Sequence, residues 1–230
     1  MLGVDGDDRA AVGGGALSGP AIAASGPSNA ERIADLGVLG LGLVSGIAAS
    51  VALVAAALSR GEPRLVIGVG IYVAGLLAML GCSLLYRATT ETRRRQFFRR
   101  IDHAAIFAMI AGSATPFALA RAGAYGIILA AALWAVAALG IVFKLRYPIG
   151  SIRRSALLYL LLGWASLVAV GPRISTETAL LIAAGGAFYS VGVPFLLRWR
   201  LRYRLAIWHA FVLAGAACHC LAILDGVVFA

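Results

Sequence analysis

Seven apolar runs, each near the length of a bilayer crossing, dominate the sequence: about 33–59, 65–86, 101–120, 122–143, 155–172, 178–197 and 205–224. A spanning helix needs roughly 20 apolar residues, and charges or turn residues separate each run from the next. The fifth run is the shortest, and the break at Arg121–Gly126, RAGAYG, is tight. Hydrophobic residues make up 61% of the 230, against roughly 45–50% in an average soluble domain. Only hydrocarbon accommodates that much apolar surface. The pattern predicts an all-α integral membrane protein, a seven-transmembrane helix bundle spanning residues 31–230.

The first 30 residues are rich in Gly, Ala and Ser and carry acids early. A secretory signal would open with basic residues and reach an apolar core quickly, so this segment reads as a disordered tail. Cys82, Cys218 and Cys220 form no CxxC pair; they read as small packing residues. Gly42 and Gly46, and the pair Gly185–Gly186, read as close-approach positions between helices. Pro116 and Pro194 fall inside spans three and six and are expected to kink them.

Seven spans place the N-terminus and loops two, four and six on one side. Sixteen of the 20 Lys and Arg residues fall there, among them Arg87, Arg93, Arg99, Lys144, Arg153 and Arg204. Only Arg60, Arg64, Arg121 and Arg173 fall opposite. Basic residues accumulate on the cytoplasmic face, which puts the N-terminus in the cytoplasm and the C-terminus outside. The net charge of +10 then reflects that rule and implies contact with membrane lipids, anionic headgroups included. It does not point to nucleic acid, since aromatics for stacking single strands are not interleaved with the charge. Nothing in the pattern selects an oligomeric state.

One apolar run opens with ionisable groups: RRIDHAAIFAMIAGSATPF, from Arg99 to Phe117, carries Asp102 and His103 at its start. Such groups at the edge of hydrocarbon are costly and mark candidate sites. Span two ends with Ser83 and Arg87 at the same side, four residues apart and so on one helix face. Span seven starts there too, in LAIWHAF, with His209. Ser83, Arg87, Asp102 and His209 are therefore expected at similar depth. His219 lies ten residues beyond His209, about 15 Å deeper by helical rise, and is expected to bond to a neighbouring helix. Blander roles exist for each residue. Arg87 serves equally as a snorkelling anchor, Asp102 as a helix cap, His103 as an interface histidine, and His209 as a hydrogen-bonded core histidine.

SLLYR, RIDHAAIFAMIAGSATPF, LGIVFKL, SALLYLLLGW, GGAFYSVGVPF and AIWHAFVLAGAACHCLAI, in that order, resemble successive signatures of the hemolysin III family, within the wider progestin and adiponectin receptor group. The resemblance covers roughly Glu31 to the C-terminus. It implies seven helices, a cytoplasmic N-terminus and a zinc site near the cytoplasmic face. That site is built from Ser-x-x-x-His ending span two, an Asp opening span three and His-x-x-x-His on span seven, four-residue spacing setting two imidazoles on one helix face. In related alkaline ceramidases such a site is associated with hydrolysis of ceramide-type amides, where a metal activates water. Here Ser83, Asp102 and His209 match, but Arg87 and Leu205 stand where the pattern has histidine.

An arginine cannot deprotonate to bind a metal. The remnant zinc site therefore suggests that an Arg87–Asp102 ion pair replaces the metal, with Ser83 and His209 bonded to it. The favoured reading is a family member with a degenerate zinc site, acting as a membrane regulator or lipid-state sensor, without a cofactor. A zinc-dependent lipid amide hydrolase using Ser83, Asp102 and His209, with His103 as a further ligand, is the alternative. A pore-forming cytolysin comes third, since the spans lack the charged face of an aqueous pore. No phosphate-cradling loop follows a strand, and no Gly-x-Ser-x-Gly elbow is present.

Overall fold

A computed structural model describes residues 27–229 apart from 122, 148–149, 171–173 and 199. The expected tail falls almost wholly outside the described residues. The chain forms α1 (Asn29–Arg60), α2 (Pro63–Ala88), α3 (Thr92–Leu119), α4 (Ala124–Arg146), α5 (Ile152–Val170), α6 (Thr176–Leu197) and α7 (Arg204–Ile223), the last continuing as a π-helical turn over Leu224–Val228. All seven are long and apolar enough to cross a membrane. Their outward faces are apolar: Leu139 is 73% exposed and Val168 is 75% exposed. Such faces suit lipid rather than water.

Local rules set the ends. Ser28 and Glu31 form a capping box at the start of α1, and Gly61, with φ of 70°, closes its end. Pro63 opens α2 at a position where its missing N–H costs nothing. The largest departure from the sequence boundaries is α3, which begins at Thr92 and carries its basic stretch as helix. Asp102 consequently lies ten residues into the helix and is no cap.

Helix α3 is the most enclosed element, held between α2 and α4 and touching α5. Small residues let α2 approach it. A Cβ on Gly68 would stand 2.9 Å from Pro116 Cα, and one on Gly75 would stand 3.4 Å from Met109 Cα. Gly42 faces Leu213, Gly46 faces Leu80, and Gly185 faces His219, so these glycines are contact points between helices. Tyr72, fully buried, ties α2 to α7 by donating to the Ala216 carbonyl at 3.3 Å. Cys82, Cys218 and Cys220 are free and half-buried. Pro116 and Pro194 lie within α3 and α6.

The Gly68 contact gives a paired prediction. Gly68→Ala drives a methyl into the Pro116 backbone and is expected to cost about 1–3 kcal/mol, as overpacking does. Gly70, on the same helix with nothing within 4 Å of its position, should tolerate alanine. Unfolding midpoints in detergent would check both; equal midpoints would show that α2 and α3 yield at this crossing.

Candidate functional site

A cluster of ionisable side chains lies at the basic end of the bundle. Asp35, on the second turn of α1, is buried. Its Oδ1 lies 2.5 Å from His209 Nδ1 on α7, and its Oδ2 lies 3.5 Å from Arg87 Nε on α2. The guanidinium also sits over the Tyr86 ring, 4.6 Å from its centroid. Asp102, on α3, is buried alongside and accepts a hydrogen bond from Ser83 of α2. A single acid from α1 thus joins α2 and α7, and a second joins α2 and α3.

The ion pair expected between Arg87 and Asp102 is not the one formed. Arg87 stands one helical turn beyond Ser83, and the carboxylate within ion-pair distance at that level is Asp35. Asp102 is met one turn deeper, by Ser83. His209 is engaged by Asp35 rather than Asp102. The snorkelling role for Arg87 also gives way, because its side chain is only 17% exposed and is turned to an acid.

The other histidines stand apart. His103 has a buried Nδ1 without a hydrogen-bond partner among the described residues, and Tyr159 donates to its backbone carbonyl at 2.9 Å. Among the described residues His219 shows no bond to a neighbouring helix: its buried Nε2 meets no hydrogen-bond partner there, and its ring lies against Tyr189, centroids 5.7 Å apart. A cavity of about 170 Å³ begins at Arg87, Asp102 and His209 and continues inward past Tyr159 and Trp164 to His219. Its wall comes from α2, α3, α5, α6 and α7 and is mostly apolar.

Arginines also cover the outer surface of this end. Arg100 donates to the Leu145 carbonyl at 3.1 Å, binding the start of α3 to the end of α4. Arg32 donates to the Ala88 carbonyl at 3.0 Å. The Glu31 carboxylate accepts from the Tyr203 backbone N–H at 3.0 Å and so fixes the start of α7, six residues before His209. Tyr203 itself is left-handed, with φ of 56°.

Residues 39–220 match the family model described as "Haemolysin-III related". The chain belongs to the hemolysin III family. It is 35% identical over 191 residues to Hemolysin-3 of Bacillus cereus, which covers 81% of this chain and 87% of that protein. It is 34% identical over 191 residues to the Hemolysin-3 homolog of Bacillus subtilis (strain 168), covering 81% and 90% respectively. With seven apolar helices, this hemolysin III protein is an integral membrane protein of the bacterial plasma membrane.

The residues at the zinc position do not fit the ligand set that the family resemblance implies. Leu205 has no lone pair to offer, and Arg87 brings a fixed positive charge to the carboxylate that faces it. The Nδ1 of His209 is taken up by Asp35. Among the described residues, no group of three or more His, Cys, Asp or Glu side chains is arranged to hold a metal ion.

Asp35 was invisible to the reading of span ends, although an acid inside the first apolar run was the signal available. Lys144 and Ser155 were missed too. Both are buried, and Lys144 Nζ donates to Ser155 Oγ at 2.6 Å.

Proposed function

We propose that this protein is a metal-independent member of its family that acts as a membrane regulator or sensor of lipid state, with the Asp35, Arg87 and His209 cluster in place of a zinc centre. The observation that carries this is the pairing of Asp35. Its two oxygens meet a guanidinium and an imidazole, so the positive charge a metal would supply comes from the chain. The fold keeps the acid–imidazole cluster, and the chemistry that needs a Lewis acid is given up.

The cavity supports the lipid part of the reading. A volume of about 170 Å³ exceeds the roughly 150 Å³ apolar cavity that takes up benzene in an engineered protein. It has room for several methylenes of an acyl chain, and Arg87 in its lining adds positive charge. The arginines on the first turns of α3, Arg93, Arg95 and Arg99, add attraction for anionic headgroups at the surface.

Elemental analysis of protein purified in mild detergent, without added metal or chelator, tests the proposal. Zinc far below one per chain is expected, even after incubation with excess metal, and a chelator should leave the unfolding midpoint where it was. Near-stoichiometric zinc would overturn the reading and direct attention to hydrolysis of lipid amides by Asp102 and His209.

A further inference from the structure

A second polar site lies apart from the Asp35 cluster, where the basic ends of α4 and α5 meet. Lys144 is on the last turn of α4 and Ser155 on the first turn of α5. Each is only 4% exposed, and the Lys144 Nζ donates to Ser155 Oγ at 2.6 Å. Among the described residues no carboxylate lies within ion-pair distance of Lys144. The Tyr159 ring also lies near it, 5.9 Å away at the centroid.

A lysine that merely anchors a helix end runs its ammonium out to headgroups and water. Arg146, two residues on, is exposed in that way, whereas Lys144 turns inward to a serine. Ser155 also lines the cavity that holds Tyr159 and Trp164. Tyr159, one turn along α5, is bonded to the His103 carbonyl, which holds this face of α5 against α3. The serine sits in the first turn of its helix, where its N–H bonds the Ser151 carbonyl at 3.2 Å and its hydroxyl donates to the same carbonyl at 3.3 Å, so the hydroxyl must rotate toward Lys144 to give up its proton there.

We propose that Lys144 and Ser155 form a serine–lysine acyl-transfer site, acting on the oxygen ester of a fatty acyl chain that lies in the cavity. Lys144, as the neutral amine, accepts the hydroxyl proton as Ser155 Oγ attacks the ester carbonyl carbon. The carbonyl π electrons move to oxygen as the tetrahedral intermediate forms. The intermediate collapses with cleavage of the ester C–O bond. The ammonium returns its proton to the departing alkoxide, leaving an alcohol and an acyl-serine. Water, deprotonated by the same amine, then attacks the acyl-serine carbonyl; the serine oxygen leaves with the proton, and a fatty acid is released. No metal or redox partner enters either half. The site shares no group with the Asp35, Arg87 and His209 cluster, so it does not depend on the absence of a metal there, but it rests on the proposed reading in placing an acyl chain in the same cavity.

A fluorophosphonate probe with a short alkyl chain tests this on the full-length protein in mild detergent, with the labelled peptide located by mass spectrometry. Covalent label on Ser155, and none on Ser151 or Ser166, is expected, together with its loss in Ser155→Ala. Lys144→Arg keeps the cation but cannot deprotonate; it should slow labelling by about 100-fold, a typical general-base contribution, with the unfolding midpoint near that of the wild type. Absence of label at Ser155 in folded wild type would overturn the proposal, as would equal labelling in Lys144→Arg. Should Lys144→Arg fail to fold, the wild-type result decides, since selective modification of Ser155 is itself the signature of an activated hydroxyl.

Discussion

Asp35→Ala and Arg87→Ala are each expected to destabilise the protein by about 3–5 kcal/mol, the usual cost of removing one member of a buried ion pair. The reason is what each leaves behind. Without Asp35, the Arg87 guanidinium and the His209 imidazole lose the oxygens they face at 3.5 and 2.5 Å. Without Arg87, a carboxylate that is only 4% exposed loses its positive partner. The double variant removes both charges together and should lose well under the sum of the singles, because paired burial is often near neutral against apolar replacement. Unfolding of the four proteins in one detergent gives the coupling energy directly. Additive losses would mean that Arg87 and Asp35 do not interact across their 3.5 Å separation.

Asp102→Ala provides the contrast. Its hydrogen-bond partner is the Ser83 hydroxyl, a neutral donor, so the loss should be nearer the roughly 1–3 kcal/mol of an unsatisfied buried group. If Asp102→Ala instead matched Asp35→Ala, with Asp35→Ala itself mild, the charge balance would run through the acid on α3.

These energies bear on what the sequence could convey. Seven helices were legible because length and hydropathy alone decide which segments cross a bilayer, and all seven runs are helices. Charge and turn residues placed the first span at about 33–59, and the caps at Ser28 and Gly61 set the helix at Asn29–Arg60. The same signals failed at α3, where TRRRQFFRR reads as a loop because charge leaves hydrocarbon, although nothing stops a helix from continuing into the headgroup zone. Which face of each helix looks inward was the harder matter, since lipid-facing and inward-facing positions are both apolar.

The polar residues carry that information. Asp35, Ser50, Thr115, Lys144, Thr178 and His209 are all buried, and each marks an inward face. Reading only the span ends found Ser83, Arg87, Asp102 and His209 and overlooked Asp35, which lies inside a span. An ionisable residue there needs a partner, and that requirement alone would have put it beside Arg87. Lys144 was counted with the loop charges because its neighbours Arg146, Arg153 and Arg154 belong there. Its burial follows from the facing of α4 against α3 and α5, which one-dimensional hydropathy does not encode.

Restoring the two imidazoles should restore a metal. Arg87→His with Leu205→His places histidines at the positions where the family pattern has them, one turn from Ser83 and from His209 respectively. Arg87 already reaches the Asp35 carboxylate, and Leu205 precedes His209 by one turn on the same face of α7. The change removes the fixed cation and supplies neutral ring nitrogens, the donors that zinc takes in tetrahedral sites. Binding to the folded state alone stabilises it by about 4 kcal/mol when zinc is a thousandfold above its dissociation constant. The double variant should therefore be less stable than wild type in chelator, having lost the Arg87–Asp35 pair, and recover or surpass it in zinc. Each single variant, one imidazole short, should respond little. A double variant whose unfolding midpoint ignores zinc would mean that Asp35, rather than the two missing histidines, is what closes this site to a metal, by keeping His209 Nδ1 for itself.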